Sequence, residues 1–112
     1  MKLVTAVVKP FTLGEIHSAL DRLGVSGMTA TETLGYGRQR GHTEVYRGAE
    51  IATEFVTKIK VEVLISDAQL DEVCDAVIAA AHTGEVGDGK LWVTEVDRVV
   101  RVRTGETNEV AV

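Results

Sequence analysis

The 112-residue chain has room for one domain with one core, and its 45% hydrophobic and 26% charged residues are ordinary globular usage rather than disorder. A formal charge of −5 excludes a general nucleic-acid binder, because phosphate backbones need a cationic surface, though a local cationic pocket for a small anion remains open. The single cysteine, Cys74, excludes an internal disulfide and leaves too few thiols for a Cys-based zinc site.

Leu3 to Val8 is an apolar run between Lys2 and Lys9-Pro10, which reads as a buried strand. The early charge and the end of the run at Val8 do not fit a secretory leader. No stretch approaches the roughly 18 apolar residues of a membrane span, so a cytoplasmic location is expected. Thr12 with Glu15 predicts a capping box, and Leu13, Ile16, Leu20 and Leu23 follow at helical spacing until Gly24. Met28 to Tyr36 predicts a second strand, with Thr29, Thr31 and Thr33 along one face. From Gly37 to Glu54 no period holds, and a long functional loop is expected there.

Thr57 to Ile65 alternates cleanly, with Ile59, Val61, Val63 and Ile65 on one side and Lys58, Lys60 and Glu62 on the other. Asp67 to Ala81 carries Leu70, Val73, Cys74, Val77, Ile78 and Ala81 at spacings of three and four, a helix stripe. A glycine-rich loop, His82 to Gly89, precedes a strand from Leu91 to Val96. Val100 and Val102 then alternate with Arg101 and Arg103, which predicts a further extended segment. The order βαβ, long loop, βαβ predicts an α+β, ferredoxin-like antiparallel sheet covered on one face. The other face is too polar for a core and must meet solvent, a ligand or another subunit.

Three local features suggest chemistry. Gly84 to Lys90 has the G-x-x-x-x-G-K spacing of a phosphate loop, but Leu91 stands where a magnesium-binding hydroxyl would be, and the loop follows a helix rather than preceding one. Its glycines still let backbone amides approach an anion, or they simply serve a tight helix-to-strand connection. Arg101 and Arg103, if on a strand, stand side by side, which fits either an anion site or a solvated edge. Gly35 to His42 is a second glycine-punctuated polar stretch. His17, His42 and His82 lack any metal-ligand rhythm, and no catalytic constellation is visible.

Several blocks together resemble the PII signal-transduction family. They are Lys9-Pro10-Phe11, Gly27-Met28-Thr29, Gly35 through Glu44, Tyr46 through Glu50, Thr83 through Lys90, and Arg101 through Glu106, so the resemblance spans the whole chain. It implies a non-enzymatic regulator of nitrogen and carbon metabolism, built as a homotrimer of single domains with adenine nucleotide, ATP or ADP, between subunits. By position, Thr29, Glu62 and Leu64 would surround adenine and ribose. Gly35, Gly37, Arg38, Gln39 and the run Gly87, Asp88, Gly89 and Lys90 would take the phosphates, with Arg101, Val102 and Arg103 reaching in from the neighbour.

The resemblance further implies that 2-oxoglutarate, with Mg-ATP, would meet Gln39, Gly41 and Lys58, and that Gln39 would complete the Mg2+ shell. Residues 37–54 would form a mobile reporting loop. Arg47 and Ile51 would face a target protein, an ammonium transporter at the membrane or a nitrogen-metabolism enzyme. Ile51 and Ala49 stand where many relatives carry modified hydroxyl residues, so control by ligands alone is expected. A nucleotide-hydrolysing enzyme and a relative reading a different second ligand are the alternatives.

Overall fold

The computed structural model describes residues 1–37, 43–46, 49–52 and 55–112, with backbone pairing alone for the strands at 43–46 and 49–52. The elements are β1 (Lys2–Val8), α1 (Leu13–Arg22), β2 (Thr29–Tyr36), β3 (Thr43–Tyr46), β4 (Ala49–Ala52), β5 (Phe55–Ile65), α2 (Leu70–Ala81) and β6 (Lys90–Glu95). Four strands form one antiparallel sheet in the order β2-β5-β1-β6, the ferredoxin-like arrangement expected.

Period two divides the central strands between two environments. Val4, Ala6 and Val8 of β1 and Val61, Val63 and Ile65 of β5 are buried beneath Ile16 and Leu20 of α1 and Val73, Val77 and Ala81 of α2. Each valine, leucine or isoleucine among them contributes roughly 1.5–3 kcal/mol through its burial. The alternate residues form the open face. Register places Thr5 between Glu62 and Trp92, Val7 between Lys60 and Lys90, and Thr33 beside Lys58.

Four expectations need correction. Thr12 makes no capping box: its backbone is already helical, and its buried hydroxyl donates to the Lys9 carbonyl at 2.7 Å. Pro10 starts a 3-10 turn at residues Pro10–Thr12, pulling Thr12 inside the helical run and out of the extended geometry a capping residue needs. Ile78 is 53% exposed, because it lies about 100° round the helix from Val77, on the flank of the stripe.

The stretch expected to lack structure contains the β3–β4 ladder, with Thr43 opposite Ala52 and Tyr46 opposite Ala49. Strands of four residues are too short to show a period. Finally, Arg101 and Arg103 are not on a strand. Val100 forms an isolated bridge with Thr107, the chain reverses between them, and Gly105 takes a positive φ of 74° to allow it. Among the described residues no helix is long and apolar enough to cross a membrane.

Two clefts at opposite ends of the open face

The glycine loop is held by one carboxylate. Asp88 Oδ2 accepts from the backbone amides of Thr83 at 2.8 Å and Gly84 at 2.9 Å, while the Thr83 hydroxyl donates to Oδ1. The Lys9 ammonium lies 3.3 Å from Oδ1. The Thr83 hydroxyl bond first, then the backbone bonds and Lys9, hold the Asp88 carboxyl well below its ordinary value, against the opposing effect of burial. Asp88, expected to line a phosphate site, therefore directs its carboxylate into its own loop. The Thr83 and Gly84 amides and the Lys9 ammonium offset part of that charge and set the loop's curvature.

Gly89 is the tightest point of the loop. Its φ is +101°, and an added Cβ would sit 1.8 Å from the Val7 carbonyl oxygen, so only glycine fits. Gly87, at φ 97°, turns its carbonyl to accept from the Lys58 ammonium at 2.6 Å. Lys58 is 7% exposed, so the solvated strand lysine that β5 alone would suggest is not what the structure contains. Burial, then the neighbouring Lys9 cation, pushes its pKa down, with Asp88 acting more weakly the other way. Gly35, across the ladder, makes room for the Lys58 stem: a Cβ there would meet Lys58 Cγ at 2.9 Å.

These residues line a cleft of about 610 Å³, formed by Gly35, Gly37, Lys58 and Gly87 through Lys90 with Val7, Val56, Val86 and Trp92. Trp92, which no motif in the sequence singled out, is half-exposed in this lining. Alternation along β6 puts it on the face of Lys90, and that was the available signal.

A second cleft of about 590 Å³ opens at the other end of the same face. It is lined by Thr29, Glu62, Leu64 and Arg101, with the 24–28 loop and, from the chain's tail, Ala111 and Val112. Among the described residues the two clefts share none. Arg101 thus lines the same cleft as Thr29, Glu62 and Leu64 of its own chain. Its guanidinium Nη1 donates to Glu106 Oε1 at 2.9 Å and Nη2 donates to the Val110 carbonyl at 3.2 Å. Val102 and Arg103 lie exposed on the turn and line neither cleft. Arg38, Gln39, Gly41 and Arg47 lie outside the described residues; Ile51 is placed only through the backbone of β4, opposite Glu44.

Residues 1–106 match the family model described as nitrogen regulatory protein P-II. The chain is 54% identical over 111 residues, 99% of each sequence, to nitrogen regulatory protein GlnK of Escherichia coli strain K12. It is 49% identical over 111 residues, 99% of each, to nitrogen regulatory protein P-II of Rhizobium etli. With that of Pasteurella multocida it shares 48% over 112 residues, the whole of both chains. All of these relatives are named as regulatory proteins and none as an enzyme. The chain belongs to the P-II nitrogen regulatory protein family.

Proposed function

We propose that this chain is a nitrogen-regulatory signal transducer that binds ATP or ADP and, together with Mg-ATP, 2-oxoglutarate. The observation that carries the proposal is the division of the candidate residues between two clefts at opposite ends of one open face. A nucleotide whose base lies by Thr29, Glu62 and Leu64 and whose phosphates lie on Gly87 through Lys90 is then shared between two copies. One copy offers the tail cleft and the next offers the glycine-loop cleft, which a closed homotrimer satisfies three times. Arg101, lining the tail cleft, enters with the adenine half.

The donor set suits the ligands. Positive-φ glycines at 87 and 89 and the Lys90 ammonium favour phosphate, and Gly35 keeps the Lys58 stem in place for a carboxylate. Bound magnesium, with Gln39 and ligand oxygens around it, would supply charge neutralisation between phosphate and keto acid. Lys58 would hold the distal carboxylate, so its depressed affinity for a proton is relieved when the anion arrives. Because the two ligands share a site, each raises the affinity of the other by the same factor.

Residues 37–54 join directly to the glycine-loop cleft through Gly35 and Gly37. Ligand occupancy is thereby passed to Arg47 and Ile51, which meet a target protein such as an ammonium transporter or a nitrogen-metabolism enzyme. With no hydroxyl at 49 or 51, ligands alone set the state.

Isothermal titration of 2-oxoglutarate tests the reading, run with Mg-ATP, with Mg-ADP and without nucleotide. Binding only with Mg-ATP, lost in Lys58→Ala, is the expected result. Mg-ATP binding with no 2-oxoglutarate response would leave an adenine-nucleotide sensor with a different second input. Steady phosphate release would favour a hydrolase instead.

A further inference from the structure

The glycine-loop cleft has a second chemistry beside its cations. Phosphate and magnesium would use Gly87 through Lys90, yet much of the remaining lining is apolar: Val7, Val56, Val86 and Trp92. Trp92 is 47% exposed and Val86 59%, so both present surface to the cleft instead of spending it on the core. Apolar walls do nothing for a phosphate. They fit a ligand that also carries a flat or apolar part, and an indole offers the largest such contact of any side chain.

Register fixes the place of that indole. Lys90 lies opposite Val7 and Trp92 opposite Thr5. Trp92 therefore shares the open face with Lys90 and stands two residues, about 7 Å, further from the glycine loop. That step matches the reach from the phosphates of a nucleotide to its sugar and base. Thr5 in turn lies opposite Glu62, and Glu62 opposite Thr29. The row Trp92-Thr5-Glu62-Thr29 thus crosses the whole sheet, with the indole at the β6 edge and the threonine at the β2 edge. The level that carries candidate base contacts at one edge carries an aromatic ring at the other.

We infer that Trp92 is the base platform of the copy that holds the phosphates: its indole stacks on the adenine whose edge meets Thr29 and Glu62 of the adjoining copy. The inference rests on the nucleotide reading above and deepens it, because the base then has contacts from both copies. Stacking reads a π face and not a hydrogen-bond pattern. Trp92 accordingly sets how tightly a nucleotide is held over a bare phosphate chain, while Thr29 and Glu62 are left to read the base.

Trp92 is the only tryptophan in the chain, so its emission reports on this one position. The test titrates Mg-ATP and, separately, magnesium tripolyphosphate into the full chain, following tryptophan fluorescence and heat together. Mg-ATP is expected to quench the emission, and tripolyphosphate, which fills the loop without a base, is expected to leave it unchanged. Calorimetry on Trp92→Leu should show Mg-ATP binding about tenfold weaker with tripolyphosphate binding within twofold of the unmodified chain, and Trp92→Phe should restore most of the loss. Equal quenching by both ligands, or Mg-ATP heat without quenching, would overturn the platform while leaving the nucleotide site standing. An equal loss of both ligands in Trp92→Leu would do the same, making Trp92 a packing residue. Failure of the unmodified chain to bind Mg-ATP would remove the nucleotide reading and the platform together.

Discussion

The two clefts are built by different means. In the glycine-loop cleft the shape comes from backbone: positive φ at Gly84, Gly87 and Gly89, and one carboxylate gathering the amides of Thr83 and Gly84. In the tail cleft the shape comes from side chains and a terminal turn held by part-exposed polar contacts, with Arg101 bonded to Glu106 and Val110. The first is set by backbone conformation; the second rests on contacts that solvent reaches. The proposed nucleotide site would thus pair a half fixed by backbone with a half built of side-chain contacts open to solvent.

The largest expected effect breaks the rigid half. Gly89→Ala forces a Cβ to 1.8 Å from the Val7 carbonyl oxygen, at a φ an alanine resists, so β1 and β6 must part locally. A loss of about 3 kcal/mol or more is expected in urea unfolding, and a loss below about 1 kcal/mol would show that the loop is not rigid. Lys58→Met comes next. It keeps the stem's bulk but leaves the Gly87 carbonyl without its ammonium donor, at a cost of about 1–2 kcal/mol after allowance for partial screening. Calorimetry should show the 2-oxoglutarate response falling at least about tenfold.

Acid titration sharpens the comparison further. Asp88 has a lower pKa folded than unfolded, so between the two values the unfolded chain binds more protons and stability rises with pH. Stability is therefore lost as pH falls below the ordinary carboxylate value of 3.8, and Asp88→Asn should flatten that part of the profile. Asp67, lowered by its bonds from the Met1 amine and then Lys2, adds to the same acid slope and sets the residual slope in that variant. Lys58 acts at the alkaline end. Its lowered pKa makes stability rise with pH through the window below 10.5, which chemical denaturation in that range would detect. The smallest effect is Val102→Ala on the outer turn, where the side chain is 98% exposed; less than about 0.5 kcal/mol is expected in thermal unfolding.

Much of the fold was legible because β1, β5 and both helices carry long, consistent periods. Ile59 through Ile65 announced one buried face, and Leu13 through Leu23 announced another. The β3–β4 ladder was not legible, since each strand offers only two residues per face. The tail misled for a related reason: Val100 to Arg103 alternates like a strand, and only Gly105 hinted at the reversal that takes Arg101 to Glu106. Thr12 carried the right capping letters, but Pro10 started the helical run early.

Of the site, the glycines and Lys58 were legible as residue types. What they do to one another was not. That Gly35 exists to clear the Lys58 stem, or that Asp88 turns inward, depends on contacts across strands distant in sequence. The partition into two clefts likewise follows from the register of β1 against β5, with Leu3 and Leu64 at one end and Val7 near Lys58 at the other.

The alternation of β5 has one more consequence. Core and open-face residues are interleaved along this strand, Lys58 next to Ile59, Glu62 next to Val61 and Val63. A slip of a single position would drive lysines into the hydrocarbon interior and turn the valines outward. Folding therefore proofreads the site: a chain that has closed its interior has, by the same act, aimed Lys58, Glu62 and Leu64 toward the open side. An inserted residue in β5 would not yield a folded but deaf protein; it would yield no stable protein at all.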